Sequence, residues 1–266
     1  MLLLNLFAAL LLIIASAMLI RKLLRIEIIQ GKPDKTILSL VVLAEILLCI
    51  TLFNNTLLAD GINISFFNIF TLTAFFITLI YASATVKQPV EVLGILILPT
   101  TAFGILLQIL NPQTIVLPSS SLALQAHILL SLLAYSLLSI AACQAVLLSI
   151  QNSFLKKKQT GGFLRSIPAL ESMENLLFQS IGLGFILLSL ALFSGFAFLD
   201  DIFAQHLVHK TVLSLCAWVI FAFLLWGRFT YGWRGKKAIK LSLGGFIFLM
   251  LSYFGSKFVS ELILHI

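Results

Sequence analysis

The sequence predicts an all-α, polytopic membrane protein of about eight transmembrane helices, on three observations. Of its 266 residues, 61% are hydrophobic and only 10% are charged, and the mean hydropathy is +1.13. A soluble domain is about half apolar and about a quarter charged, so this composition excludes a soluble globular protein, a disordered chain and a disulfide scaffold. The apolar residues fall into eight continuous runs, each long enough to cross hydrocarbon as a helix, the form that satisfies every backbone polar group internally. None of the runs shows the strand alternation of an outer-membrane barrel.

In order, the runs cover Leu2 to Ile20, Ile37 to Ala59, Phe66 to Val86, Val92 to Leu110, Ala126 to Ile150, Leu176 to Leu199, Val212 to Phe229 and Leu241 to Leu262. The first contains Ala15-Ser16-Ala17, which looks like a cleavage site, but no basic residue precedes the run and five follow it. That is the reverse of a signal peptide's charge order, so the run is read as an uncleaved helix. The second carries Glu45, the one carboxylate deep in a span. Intramembrane acids are costly and are usually paired or functional. Gln108 and Gln144 are lesser cases, and these groups are too few to outline a proton or ion path. Before the sixth run, Ser166-Ile167-Pro168 stands ahead of Glu171 and Glu174. This N-cap and early-proline signature starts a helix before the membrane. With no linker and no convincing internal repeat, residues 1–266 read as a single integral membrane domain.

The charges define a topology. Of the 17 basic residues, 15 fall at or beyond the ends of the first, third, fifth and seventh runs, leaving Lys210 and Lys257 for the other side. By the positive-inside rule those basic loops are cytoplasmic and both termini lie outside, on the periplasmic face of a bacterial inner membrane. The net charge of +7 is then a topology signal, which leaves nucleic-acid binding without support.

Cys49, Cys143 and Cys216 lie within spans, unpaired by any C-x-x-C and without a C-x-x-C-H haem attachment site. They read as buried apolar residues. Gly161-Gly162 is an isolated pair, not a phosphate-cradling loop, and no G-x-S-x-G elbow supports a serine hydrolase. Trp226 and Trp233 flank the inner boundary, where an aromatic belt is expected.

All four histidines, His127, His206, His209 and His265, fall on the outer side of this topology. His206 and His209 are three apart, so they share a face if the seventh helix starts early. Two neutral imidazoles converging from different helices are what a bis-histidine haem or a metal needs. With neither Cys nor a carboxylate beside His127, haem ranks above a closed zinc site. The alternative is a set of interfacial histidines hydrogen-bonded to loop backbone. Below His127 the helical face continues through Ser131, Ala134, Leu138, Ala141, Ala142 and Ala145, with Tyr135 alongside. Such a face admits either a closely packed helix or a flat ligand.

The segments His127 to Tyr135, Pro168 to Glu171 leading into Gly182-Leu183-Gly184-Phe185, Gly232 to Ala238, Gly244-Gly245-Phe246 and Tyr253-Phe254-Gly255 resemble the cytochrome c assembly family of membrane proteins. The branch resembled is that of small inner-membrane HemX-like or YpjD-type proteins, related to the CcsA/ResC haem-handling component. The resemblance runs over about 126–262, the first four spans matching only as apolar helices. It implies a protein that holds haem near the outer face, serves cytochrome c assembly and meets other maturation components, with His127 in the place of the first outer axial histidine. The family's tryptophan-rich loop is missing, since Asp200 to Lys210 contains no Trp, and Trp226 stands where a second outer histidine would follow. His206 or His209 would substitute, and the expected iron ligands are His127 and His209. The expected function is a haem-binding or haem-handling accessory membrane protein without a ligase motif, and no enzymatic activity is assigned. The alternative is a non-haem transport or regulatory subunit that retains the fold, with Glu45 as its coupling acid.

Overall fold

The computed structural model describes residues 1–25, 33–58, 60–118, 122–158, 167–198 and 205–258, the side chains of 198 and 205–207 excepted. Its main elements are α1 (Leu2–Leu24), α2 (Lys35–Thr56), β1 (Leu57–Leu58), β2 (Gly61–Asn63), α3 (Phe66–Lys87), α4 (Gly94–Leu110), β3 (Val116–Pro118), α5 (Leu122–Lys156), α6 (Leu170–Phe198), α7 (Gln205–Tyr231) and α8 (Lys236–Met250). A 3-10 turn, Glu91–Leu93, leads into α4, and α8 continues through a π-helical turn, Leu251–Gly255, to a last α-turn, Ser256–Phe258. Eight helices are long and apolar enough to cross a membrane. Large side chains such as Phe53, Phe193 and Phe229 are exposed on them, as lipid-facing residues are.

Helix α6 begins at Leu170, ahead of the apolar run that opens at Leu176 but three residues later than a cap at Ser166 would start it; Ser166 and Gly161-Gly162 lie outside the described residues. Helix α7 begins at Gln205, so His206 and His209 both fall within it. His265, Asp200, Asp201 and the side chain of His206 lie outside the described residues. One expectation is corrected: Cys49 is exposed, and Cys143 and Cys216 are half-buried. A cysteine on a lipid-facing surface meets hydrocarbon, which suits an apolar thiol as well as a protein interior does.

The chain forms two compact units. The first comprises 1–119 and 150–172. Here short polar side chains join helices in place of a hydrophobic driving force that lipid removes. Thr78 and Thr101 hydroxyls lie 2.7 Å apart between α3 and α4, and Thr71 donates to the Gly104 carbonyl at 3.1 Å. The α2–α3 and α4–α5 connections pair as a small antiparallel sheet in the order β1-β2-β3. Asn68 closes it onto the helices, donating to the Asn63 carbonyl at 2.8 Å and accepting from Gln108 at 2.9 Å.

At the opposite end of the same helices, Asp34 caps α2 by accepting from Thr36 N–H at 2.8 Å and pairs with Lys22 of α1 at 2.6 Å. The Lys22 ammonium holds the Asp34 carboxyl below its ordinary range. A carboxyl lowered in the folded state stabilises it at neutral pH and loses that contribution as acidification protonates it. Asp34→Ala is expected to cost about 1 kcal/mol in thermal unfolding, mostly the lost cap. The difference from wild type should shrink in acid.

The second unit comprises 120–149 and 173–266, its described residues ending at 258. Leu138 of α5 meets α6 at Gly184, Trp218 of α7 donates to Ser189 of α6 at 2.8 Å, and Phe221 of α7 packs against Gly245 of α8. Tyr135 of α5 closes the circuit by donating to the Leu249 carbonyl of α8, two residues before the π-helical segment.

Candidate functional site

Two ends of this second unit carry its polar chemistry. At one, α7 turns into α8 through Gly232-Trp233-Arg234-Gly235. Gly235 has φ +56° and ψ −126°, a backbone that excludes ordinary side chains. Its N–H donates to Glu174 Oε1 of α6 at 2.8 Å. Arg228 lies over the Phe178 ring at 4.5 Å and reaches Asn175 at 3.3 Å. Trp233 folds back onto Gly227, where an added Cβ would stand 2.2 Å from the indole. Trp226 is exposed, and Tyr231 links its ring to that of Trp233 at centroid distances of 5.3 and 6.2 Å. These residues carry much of the family resemblance, and what they build is a rigid basic elbow.

The other end gathers the first turns of α5 and α7 and the last turns of α6 and α8. Half-buried His127, in the second turn of α5, places Nδ1 3.0 Å from Ser194 Oγ of α6. Ser194 also donates to the Ala191 carbonyl at 2.8 Å. A hydroxyl has one hydrogen, so with that hydrogen committed to Ala191, Ser194 accepts from Nδ1–H. This assigns the tautomer and leaves the Nε2 lone pair for a ligand. Histidines that bind metals are oriented in this way, by a hydrogen bond on the other ring nitrogen. The partners of His127, the Ser194 hydroxyl and the Ala191 backbone, belong to helix α6 rather than to a loop.

Of the other expected ligands, His209 is exposed on α7, and no described contact joins it to His127. Among the described residues no three of His, Cys, Asp and Glu are grouped to hold a metal ion. The small-residue face below His127 is used for packing: Ala134, Leu138 and Ala145 are 0% exposed. A flat ligand reaching Nε2 would therefore lie at the helix ends, not along that stripe. The two lysines left on the outer side by the charge pattern meet here as well. Lys210 of α7 and Lys257 beyond α8 stand 6.0 and 5.8 Å from the centre of the Tyr253 ring. Lys210 is fixed further by its carbonyl, which accepts from Ser214 at 2.8 Å and Ser252 at 2.7 Å.

Sequence reasoning missed Ser194, Glu174 and the pairing of the lysines. A lone serine inside an apolar run carries no local signal, and Ser194 is 67 residues from His127. Glu174 was legible only as a helix-start residue.

Eight apolar helices with a histidine oriented at one end define a multi-pass helical membrane protein with a ligand-capable imidazole. The family model described as cytochrome c assembly protein matches residues 36–264, and the chain belongs to that family. The match begins in α2, well upstream of the motifs that carry the resemblance. The inner membrane protein YpjD of Escherichia coli K12 is 38% identical over 137 residues, 52% of each chain. A 28.8 kDa protein of Azospirillum brasilense is 31% identical over 140 residues, again 52% of each chain. The cytochrome c biogenesis protein CcsA of Gloeobacter violaceus is 31% identical over 103 residues, 38% of this chain and 30% of that one. The first two alignments thus span about half the length of those relatives. No solved structure matches.

Proposed function

We propose that this protein serves cytochrome c assembly in a bacterial inner membrane, as an accessory component that holds haem through His127. Family membership supports the pathway, the name of the Escherichia coli relative supports the membrane, and the cytochrome c biogenesis relatives support haem as cargo. One observation carries the ligand assignment: Ser194 holds His127 Nδ1 and leaves Nε2 available. Haem supplies an iron with two axial positions and a pair of carboxylates. His127 would take one axial position, and His209, exposed on α7, is the candidate for the other. Lys210 and Lys257 bring positive charge to the same end, which suits the carboxylates. No catalytic residue is assigned, because ligand binding is all this arrangement supplies.

The reading predicts a cellular phenotype. A strain lacking the protein should show less covalent haem staining of its c-type cytochromes, restored by the wild-type chain and not by His127→Ala at equal membrane abundance. Full restoration by His127→Ala would overturn the role of His127. Staining unaffected by the deletion would overturn the pathway.

A second reading, a non-haem transport or regulatory subunit with the same fold, is favoured by buried Glu45. Complete tolerance of changes at His127 and His209, with loss of function in Glu45→Gln, would select it.

A further inference from the structure

The first unit contains an acid that the haem reading does not use. Glu45, midway along α2, is 5% exposed, and neither of its carboxyl oxygens has a hydrogen-bond partner among the described residues. The helices around it offer no countercharge at that depth. Helix α1 has no ionisable side chain before Arg21, α3 has none before Tyr81, and α4 has none at all. The charged and titratable groups nearest this interior, half-buried Lys22 and Asp34 and buried Tyr81 and Glu91, lie toward the end of the unit that carries the Lys22–Asp34 pair, where Lys87 is exposed.

A cleft opens at that same end. Its lining includes Asp34, Ile37, Val41, Tyr81, Thr85 and Glu91. Glu91 Oε1 accepts from Asp34 N–H at 3.2 Å, and the Tyr81 hydroxyl donates to the Glu91 carbonyl at 3.0 Å, so polar groups stand in a small cleft whose remaining walls, among them Pro33, Leu38 and Val41, are apolar. The α2 side of the cleft steps from Asp34 through Ile37 to Val41, and Glu45 is the next residue on that stripe. Four residues of helix rise about 6 Å, so the carboxyl lies one turn beyond the floor of the cleft.

The ligand class follows from the donor count. A metal cation needs about six oxygens, and one isolated carboxyl offers two. A proton needs a single oxygen, and an acid with no partner in hydrocarbon is accommodated by carrying one. We propose that Glu45 is a proton-binding site within the membrane, loaded through the small cleft between α2, α3 and the turn before α4. Loading adds one proton from water to one carboxyl oxygen and cancels the carboxylate's charge. The site depends on neither His127 nor haem.

Dicyclohexylcarbodiimide tests this on the full chain in membranes. This apolar reagent takes the proton and carboxylate of a protonated carboxyl across its C=N bond, and the product rearranges to a stable N-acylurea. Mass spectrometry should find one adduct on the peptide that contains Glu45. The adduct should be lost in Glu45→Gln, retained in Glu45→Asp, and should fall about tenfold per pH unit once the medium is alkaline enough to strip the proton. The aspartate variant keeps the test valid if glutamine impairs folding. No adduct at Glu45 at any pH, a yield independent of pH, or the same adduct in Glu45→Gln would overturn the proposal.

Discussion

Gly227→Leu is expected to be the most destabilising single change in the second unit. The Trp233 indole occupies the space a Cβ would take, at 2.2 Å, so even one methyl group has to displace the ring. Trp233 is held there by three neighbours. Phe223 meets it edge-on at 4.9 Å, Tyr231 stacks at 6.2 Å, and Lys237 stands 5.2 Å from its centre. Overpacking a fixed site typically costs 1–3 kcal/mol, and a leucine against a held indole belongs at the upper end, about 3 kcal/mol. Thermal unfolding in detergent should show a lower midpoint, and Trp233 fluorescence should shift as the ring moves toward water. Gly244→Leu is the control, since an added Cβ there meets nothing within 4 Å. Equal stability of the two variants would refute the account of the elbow.

Ser194→Ala should produce the second large effect, on ligand affinity and not on folding. The change removes one hydroxyl that sits between the Ala191 carbonyl and His127 Nδ1. Without it the ring loses the hydroxyl that fixes its tautomer and helps to fix its orientation. Losses of this kind weaken metal binding about 10- to 100-fold. Ser194→Thr keeps the hydroxyl and should restore most of the affinity. If Ser194→Ala binds haem as wild type does, the hydrogen bond does not tune the ligand.

How far the sequence could be read depends on the range of the interaction. The spans and the start of α6 before its apolar run are local, set by hydropathy and by the serine-proline signature, and the structure has both, whereas no local signal marked the start of α7 at Gln205. Glu45 was conspicuous because a carboxylate in an apolar run is conspicuous anywhere. His127 could be singled out, but its partner could not, because Ser194 is one of several serines in apolar helices and only the α5–α6 approach selects it. The small-residue face shows the same limit. Ala134 and Ala145 are compatible with both helix packing and ligand space until their complete burial decides between them. The β1-β2-β3 sheet was invisible because strands of two or three residues leave no alternation to detect.

The central claim is that His127 Nε2 ligates haem iron, and the visible spectrum of the full chain tests it most directly. Purified in mild detergent after haem supplementation, the wild-type protein should show a Soret band that His127→Ala loses at equal folded yield. A wild-type protein without a Soret band, or a band unchanged by His127→Ala, would contradict the claim.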